Sequence, residues 1–309
     1  MPLNLEKTSP NWYNVINMKG ELVRVITSDG LELSGFFMDQ KSDLAVLHFH
    51  GTAGDFYTHK FVEVEGEKLS QEKISFLTAN NRGHDVYADI RKHKNGKVEW
   101  TQIGGGFEKF EDCILDIDAW INFLTKRGVK KIILQGHSLS QKNLYYQYIK
   151  KNPKVIGQIH LSPQNDDGLM FYSLGEKKYS EINKKIKQMV KEGKGSEVLP
   201  KEFSPVSYVT SAQMYHGYLT DYGTGTLTPY HNSDSKNWKI ISQVKQPMLI
   251  TYGYEDVYMK PSVAEAAKII KEKNKKINVS IIKGASHSYL GFEKELVKII
   301  FNWIKINFL

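Results

Sequence analysis

The sequence predicts an α/β fold, a mostly parallel central sheet flanked by helices with a helical cap insertion over it. Three observations predict it. Short apolar runs, among them Ile132-Ile133-Leu134 and most of Leu44 to His50, read as strands buried on both faces. Stretches of helical period alternate with those runs over most of the chain. The alternation stops from about Ser162 to Trp238 and then resumes, which divides the chain into a core, residues 1–161 and 239–309, and a cap, residues 162–238.

In chain order, Glu21 to Thr27 alternates as a half-buried strand does, Ser28-Asp29-Gly30 supplies a turn, and Leu31 to Met38 resumes the alternation. Together they predict a hairpin. Leu44 to His50 is the next strand and runs into His50-Gly51-Thr52-Ala53-Gly54. Phe56 to Gln71 is a helix anchored by Phe61 and Leu69, and Ile74 to Ala79 is a strand. Val86 to Gly106 reads as a long loop, with Gly104-Gly105-Gly106 a flexible lead-in to a helix from Phe107 to Lys126. No strand leads directly into those glycines and no Lys-Ser/Thr pair follows, so they are not a phosphate cradle. The helix sets Phe110, Ile114, Ile117 and Ile121 on one face and acidic residues near its start, where the helix dipole favours them. Cys113 beside that face reads as a buried thiol.

After the strand ending at Leu134 comes a helix to about Lys151 and a strand from Val155 to Leu161. The cap then holds a basic amphipathic helix, a loop at Gly193 to Gly195, a Tyr- and Ser-rich stretch from Val206 to Leu219, and a loop from Asp221 to Asn237. Pro247 to Tyr252 is a strand, and Pro261 to Lys273 a helix with proline in its first turn. Val279 to Ile282 is a strand, and Phe292 to Ile306 a closing amphipathic helix.

The totals exclude several classes of protein. The 309 residues give room for one large α/β domain with an insertion, or for two domains. The net charge of +8 is carried mostly by lysine, with only Arg24, Arg82, Arg91 and Arg127 as arginines. Arginine is the better fork for phosphates and base edges, so no nucleic-acid partner is expected. The densest basic run, Lys177 to Lys194, is interspersed with carboxylates and reads as a solvated helix face. Met1 to Asn17 lacks a basic segment followed by an apolar run, so no secretory signal is expected. No stretch is long and apolar enough to predict a membrane span. Cys113 is the only cysteine, which forbids an internal disulfide and fits a cytoplasmic location. Oligomeric state is not legible.

The chemistry gathers where strands end, because ligands of open parallel sheets sit at the carboxyl ends of strands. Gly136-His137-Ser138-Leu139-Ser140 joins a strand to a helix and fills two of the three fixed positions of Gly-x-Ser-x-Gly, with Ser140 in the third. So tight a turn forces the middle serine into a strained conformation and projects its hydroxyl above the sheet. The position of Ser140 needs a small residue because the helix passes close to the strand. Three further strand ends carry His50-Gly51-Thr52, Asp256 and His287. A serine becomes a useful nucleophile when a histidine takes its proton, and an acid behind the histidine fixes its tautomer. Glu255 competes with Asp256 for the acid position, and the Gly-x-x-Asp spacing from Gly253 favours Asp256. His137 reads as a packed turn residue. His48 and His50 lie two apart on a strand without a carboxylate set, so no metal site is expected. Arg82 and His84 read as turn-stabilising residues.

With these residues in place, the chain from about Glu21 onward resembles the α/β-hydrolase superfamily, and within it the intracellular serine esterases and acyl hydrolases. The resemblance implies that Ser138 is the nucleophile, Asp256 the acid and His287 the base. It also implies that the backbone N–H groups of Thr52 and Leu139 form the oxyanion hole, supported by His50, Gly51 and Gly136. The activity implied is hydrolysis of a carboxylic ester or related acyl bond in a small molecule, through an acyl-enzyme and without a cofactor. Thioesterase, amidase or peptidase, and acyltransferase chemistry use the same constellation, and a non-catalytic binding protein on this fold is a further alternative. Specificity is expected from the insertion. Asn165, Tyr215 and Tyr218 are the candidate substrate contacts, beside Met214, Tyr222, Asp166 and Asp167, and each equally suits ordinary packing or the start of the insertion.

Overall fold

The protein is described by a computed structural model covering residues 18–163, 165–203 and 209–309. The elements run β1 (Glu21–Ile26), β2 (Glu32–Met38), β3 (Leu44–Phe49), α1 (Lys60–Gln71), β4 (Ser75–Ala79), β5 (Ala88–Lys94), β6 (Lys97–Ile103), α2 (Cys113–Lys126), β7 (Lys131–His137) and α3 (Gln141–Lys150). They continue with β8 (Val155–Leu161), α4 (Asp166–Leu174), α5 (Glu176–Lys191), α6 (Ala212–Tyr218), α7 (Trp238–Ser242), β9 (Met248–Gly253), α8 (Val263–Lys273), β10 (Asn278–Ile282) and α9 (Glu293–Phe308). Met1 to Asn17, where no secretory signal is expected, and the start of the Val206 stretch lie outside the described residues.

Eight strands form one sheet in the order β1-β2-β4-β3-β7-β8-β9-β10. β1 and β2 are the antiparallel hairpin expected from Ser28-Asp29-Gly30, and β2 also pairs antiparallel with β4. From β4 to β10 every pairing is parallel. The carboxyl ends of those strands therefore open on one edge of the sheet. β3 and β4 are buried along their whole length, as their apolar runs require of strands covered on both sides.

Helices cover both faces. On one, Phe61, Val62 and Leu69 of α1 and Leu296, Ile300 and Ile304 of α9 pack on Val46, Phe76, Ile133 and Ile159. On the other, Ile117, Trp120, Ile121 and Leu124 of α2 cover Leu33, Ala45, Leu47, Leu77 and Ile132, while α7 and α8 cover Met248 and Ile250. The insertion has a core of its own, built from Met170, Tyr179, Ile182, Ile186, Leu199, Met214 and Tyr215. That core closes around Phe110 and Leu139 of the sheet domain, so the insertion sits on the edge where the parallel strands end.

The segment expected to be a loop from Val86 to Gly106 is instead a two-stranded hairpin, β5–β6, turning at Asn95-Gly96 with both φ angles positive. Its triple glycine is a packed junction rather than a flexible lead-in. Gly104 adopts φ +121°, a Cβ on Gly105 would fall 2.7 Å from the Ala53 nitrogen, and one on Gly106 would fall 2.4 Å from the Val209 carbonyl oxygen. The helix that follows starts at Cys113, after a single 3₁₀ turn at Phe110–Asp112.

Two buried polar clusters fix the layers to one another. Arg82 is held in a fork: its guanidinium donates to Asp116 at 2.8 Å, to Asp29 at 3.1 Å and to Asp112 at 3.2 Å. It is a structural tie between the β1–β2 turn, the end of β4 and α2, in line with its reading as a turn stabiliser. On the other face, the amide of Gln135 donates to Glu65 at 2.7 Å and lies 3.1 Å from Nδ1 of His48. Burial pushes the Glu65 carboxyl up to about 8 and holds His48 down at about 3.

The elevated Glu65 pKa has a stability consequence of defined sign. The native state keeps its proton between about pH 5 and 8, where the unfolded chain has lost it, so Glu65 destabilises the fold progressively as pH rises through that window. Glu65→Gln is expected to leave stability unchanged near pH 4 and to gain on the wild type by up to about 1.4 kcal/mol per pH unit above it. Urea unfolding of both proteins at a series of pH values measures this. A difference that does not grow with pH would show Glu65 ionising normally.

Candidate active site

Ser138 stands between β7 and α3 with φ +59°, in the left-handed region that a side chain bearing a Cβ rarely adopts. Its N–H donates to the Leu161 carbonyl at 2.8 Å, and the Ser140 N–H donates back to the Ser138 carbonyl at 2.8 Å. Three backbones crowd the turn. A Cβ on Gly136 would fall 2.9 Å from both Cα and Cβ of Ser140, so a small residue at position 140 lets the helix leave the strand so closely. A Cβ on Gly51 would fall 2.7 Å from Ser138 Cβ and 3.2 Å from its Oγ, which puts the loop after β3 directly against the serine. Ser138 remains 6 % exposed under these neighbours.

Asp256 and His287 follow β9 and β10. His287 Nδ1 lies 2.7 Å from Asp256 Oδ2. The Asp256 side chain is almost completely buried, and that of His287 is 13 % exposed. With Nδ1 donating to the carboxylate, Nε2 is the ring's acceptor. Asp256 Oδ1 also accepts from the Tyr258 N–H at 3.0 Å. The rival Glu255 is exposed. A Cβ on Gly253 would fall 2.3 Å from the Ser286 carbonyl oxygen, so the glycine lets the two loops meet.

His137 joins the two halves of the site. Its Nε2 donates to the His287 carbonyl at 2.9 Å, and its ring lies 4.9 Å from that of His287 and 4.4 Å from that of His59. Burial, then the neighbouring His287 and His59, keep His137 well below the usual imidazole range and therefore neutral. Tyr258 closes the other side of His287 at 5.0 Å, ring edge to ring face.

The loop after β3 is set by His50. Its Nε2 accepts the Asn81 N–H at 3.2 Å, which leaves the proton on Nδ1, and Nδ1 donates to the Gly51 carbonyl at 2.7 Å. Burial holds the ring at about 3, so it is neutral. Because the peptide is planar and trans, a fixed Gly51 carbonyl also fixes the Thr52 N–H, which points the opposite way. Leu139 is buried at the base of the insertion core.

The other candidates divide. Asn165 caps α4: its Oδ1 accepts the Gly168 N–H at 3.3 Å and its amide donates to the Lys260 carbonyl at 2.5 Å. Asp166 and Asp167 begin that helix. Tyr215 and Met214 lie within the insertion core, and Tyr222 donates to the Asn183 carbonyl at 2.6 Å. Tyr218, like Asp166 and Asp167, reaches the residues just after Ser138. With Leu139, Gln141 and Thr226 it lines a cavity of about 10 Å³, room for one water. His84 pairs with Asp85 at the surface. Cys113 is buried, and burial pushes its thiol up. Among the described residues, no three His, Cys, Asp or Glu side chains gather into a metal-holding group. No helix of the described residues is long and apolar enough to cross a membrane.

Sequence reasoning missed Lys142, Glu108 and Asn81, which form a buried cluster beside Ser138. Lys142 Nζ donates to both Glu108 oxygens, at 2.9 and 2.7 Å, and to Asn81 Oδ1 at 3.0 Å. The available signal was a lysine four residues after the serine, and a surface position is the ordinary reading of such a residue.

The order and pairing of the strands, with the turn after β7 and the loops after β9 and β10, define an α/β-hydrolase fold. The chain belongs to the family described as "Protein of unknown function (DUF1749)", whose model matches residues 101–306. Solved structures of this fold are similar over nearly the whole chain. Esterase Pf2001 of Pyrococcus furiosus is 17 % identical with a TM-score of 0.58, over 96 % of each chain. Est1E of Butyrivibrio proteoclasticus, in a structure with ferulic acid bound, is 14 % identical with a TM-score of 0.64, over 92 % of this chain and 99 % of that one. An α/β-hydrolase fold protein of unknown function is 16 % identical with a TM-score of 0.65, over 93 % and 95 %. No curated protein matches by sequence.

The turn's geometry has a measurable energetic signature. A left-handed φ costs a residue with a Cβ about 1–2 kcal/mol, and glycine's extra freedom in the unfolded chain returns part of that. Ser138→Gly is therefore expected to be about 1 kcal/mol more stable than Ser138→Ala in urea unfolding. Equal stabilities would show that the turn carries no such strain.

Proposed function

We propose that the protein is a serine hydrolase that cleaves a carboxylic ester or related acyl bond of a small molecule through an acyl-enzyme intermediate. The observation that carries this reading is the 2.7 Å pair of His287 and Asp256, facing the edge where Ser138 stands in its left-handed turn. A buried carboxylate on Nδ1 holds the ring with Nε2 free to accept a proton and stabilises the imidazolium that forms. The esterases among the similar folds favour the same chemistry, and the single cysteine suits a cytoplasmic location.

In the acylation step the Ser138 hydroxyl oxygen attacks the carbonyl carbon while His287 Nε2 takes its proton. The negative charge that develops on the carbonyl oxygen is met by the N–H groups of Thr52 and Leu139. Collapse expels the alcohol, which takes the proton from His287. Water then attacks the acyl-enzyme by the same route in reverse, with His287 again as base, and releases the acid.

Fluorophosphonate probes react with activated serines, so the wild-type protein is expected to be labelled and Ser138→Ala is not. Labelling that survives the substitution would remove Ser138 from the role. In Asp256→Asn the histidine loses the carboxylate that fixes its tautomer and stabilises its cation. The expected loss in kcat on p-nitrophenyl esters is about 10³–10⁴-fold, with KM little changed. A loss below about ten-fold would point to a different acid.

A further inference from the structure

We infer that the buried Lys142–Glu108 ion pair is a positioning device for the oxyanion loop, aiming the Thr52 N–H through Asn81 and His50. The inference rests on the serine-hydrolase reading and adds residues that touch no substrate.

The chain of contacts is continuous. Glu108 receives the Lys142 ammonium on both oxygens, and the third ammonium contact is Asn81 Oδ1. The same Asn81 oxygen accepts the Gly83 N–H at 2.9 Å, which fixes the backbone of the turn after β4. That turn presents the Asn81 N–H to His50 Nε2 at 3.2 Å, and His50 Nδ1 holds the Gly51 carbonyl at 2.7 Å. The Gly51 carbonyl lies on the same planar peptide as the Thr52 N–H. A displacement of Asn81 therefore passes to the donor through two hydrogen bonds and one rigid peptide.

Two further observations tie the pair to this place. A Cβ on Gly83 would fall 2.3 Å from a Glu108 oxygen, so the turn is closed directly on the carboxylate. Lys142 lies one helical turn beyond Ser138 and its ammonium stands 5.9 Å from the ring centre of Tyr218 in the insertion. One cation thus touches the nucleophile's helix, the turn after β4, the segment before α2, and the cap. Both partners are almost entirely buried, with side chains 4 % and 1 % exposed. Apolar side chains of the same size commonly serve stability as well as a buried ion pair does. What they lack is the directed hydrogen bond to Asn81.

The test needs a readout that general loss of structure does not move. Sulfur accepts hydrogen bonds weakly, so a thionoester gains less than its oxoester from the oxyanion hole. The ratio of kcat/KM for p-nitrophenyl acetate to that for its thionoacetate reports how well the donors are aimed. Two variants of the full-length chain break the relay differently. Lys142→Met with Glu108→Gln replaces the pair by neutral side chains of similar size, and Asn81→Leu leaves the pair whole and cuts its link to the loop. In both, kcat on the oxoester is expected to fall about 10²-fold, as for loss of one oxyanion donor, with KM nearly unchanged and the oxo/thiono ratio reduced at least about ten-fold.

If Asn81→Leu keeps the wild-type ratio, the inference is overturned, whether or not the double variant folds. Loss of rate on both esters in equal proportion overturns it too, because that is what a purely structural pair would give. If the wild type neither hydrolyses p-nitrophenyl acetate nor takes a fluorophosphonate label at Ser138, the failure belongs to the serine-hydrolase reading instead.

Discussion

A serine held at φ +59° between a buried strand and a helix leaves no room for side chains around it. Gly136 and Ser140 are small because the helix turns back within van der Waals contact of the strand, and Gly51 is a glycine because the neighbouring loop lies on the serine itself. The crowding fixes the geometry of the site before any polar contact is made. It places the peptide after Gly51 beside the serine, and it makes the residue after the serine, Leu139, the point where the insertion lands. Since packed backbones have few alternative arrangements, a turn built this way holds its hydroxyl more rigidly than an exposed loop would.

Around that turn the polar groups are buried, and burial makes each of them depend on a partner. An unpaired charge in this setting costs several kcal/mol, so the ionised side chains appear in closed sets. Arg82 has Asp116, Asp29 and Asp112, and Lys142 has Glu108 and Asn81. The histidines take the other course: His48, His50 and His137 are driven neutral by burial and act through fixed tautomers. A neutral His137 beside His287 matters, because a second cation 4.9 Å away would oppose the imidazolium that the proposed mechanism forms.

The strands of the central sheet were legible because burial on both faces writes an unbroken apolar run, as in Leu44–Phe49. The strand ends carrying Ser138, Asp256 and His287 could be read from the same pattern, and the spacing from Gly253 pointed to Asp256, the carboxylate that pairs with His287, rather than to the exposed Glu255. The β5–β6 hairpin was not legible by that route, since its second strand is exposed along most of its length and has no apolar face to show. Its turn was visible as Asn95-Gly96, the pair that supplies two positive φ angles, and the glycines at 104–106 drew the reading toward a loop instead. Lys142 and Glu108 were hidden for a different reason. Each looks like a surface residue of its own segment, and only the pairing of two segments 34 residues apart reveals that both are inside.

The insertion has more than one way to influence the chemistry. Its core takes in the side chain of Leu139, whose N–H is one proposed oxyanion donor, and its Tyr218 stands over the ammonium that braces the other. The two donors are thus held from different bodies, one by the insertion's apolar core and one by the loop after β3. A shift of the insertion would change their separation as well as the access to Ser138. Catalytic rate is more sensitive to donor aim than binding is, because those hydrogen bonds strengthen only as charge develops. Sequence changes within the insertion core, as at the buried Tyr215, should therefore register in kcat.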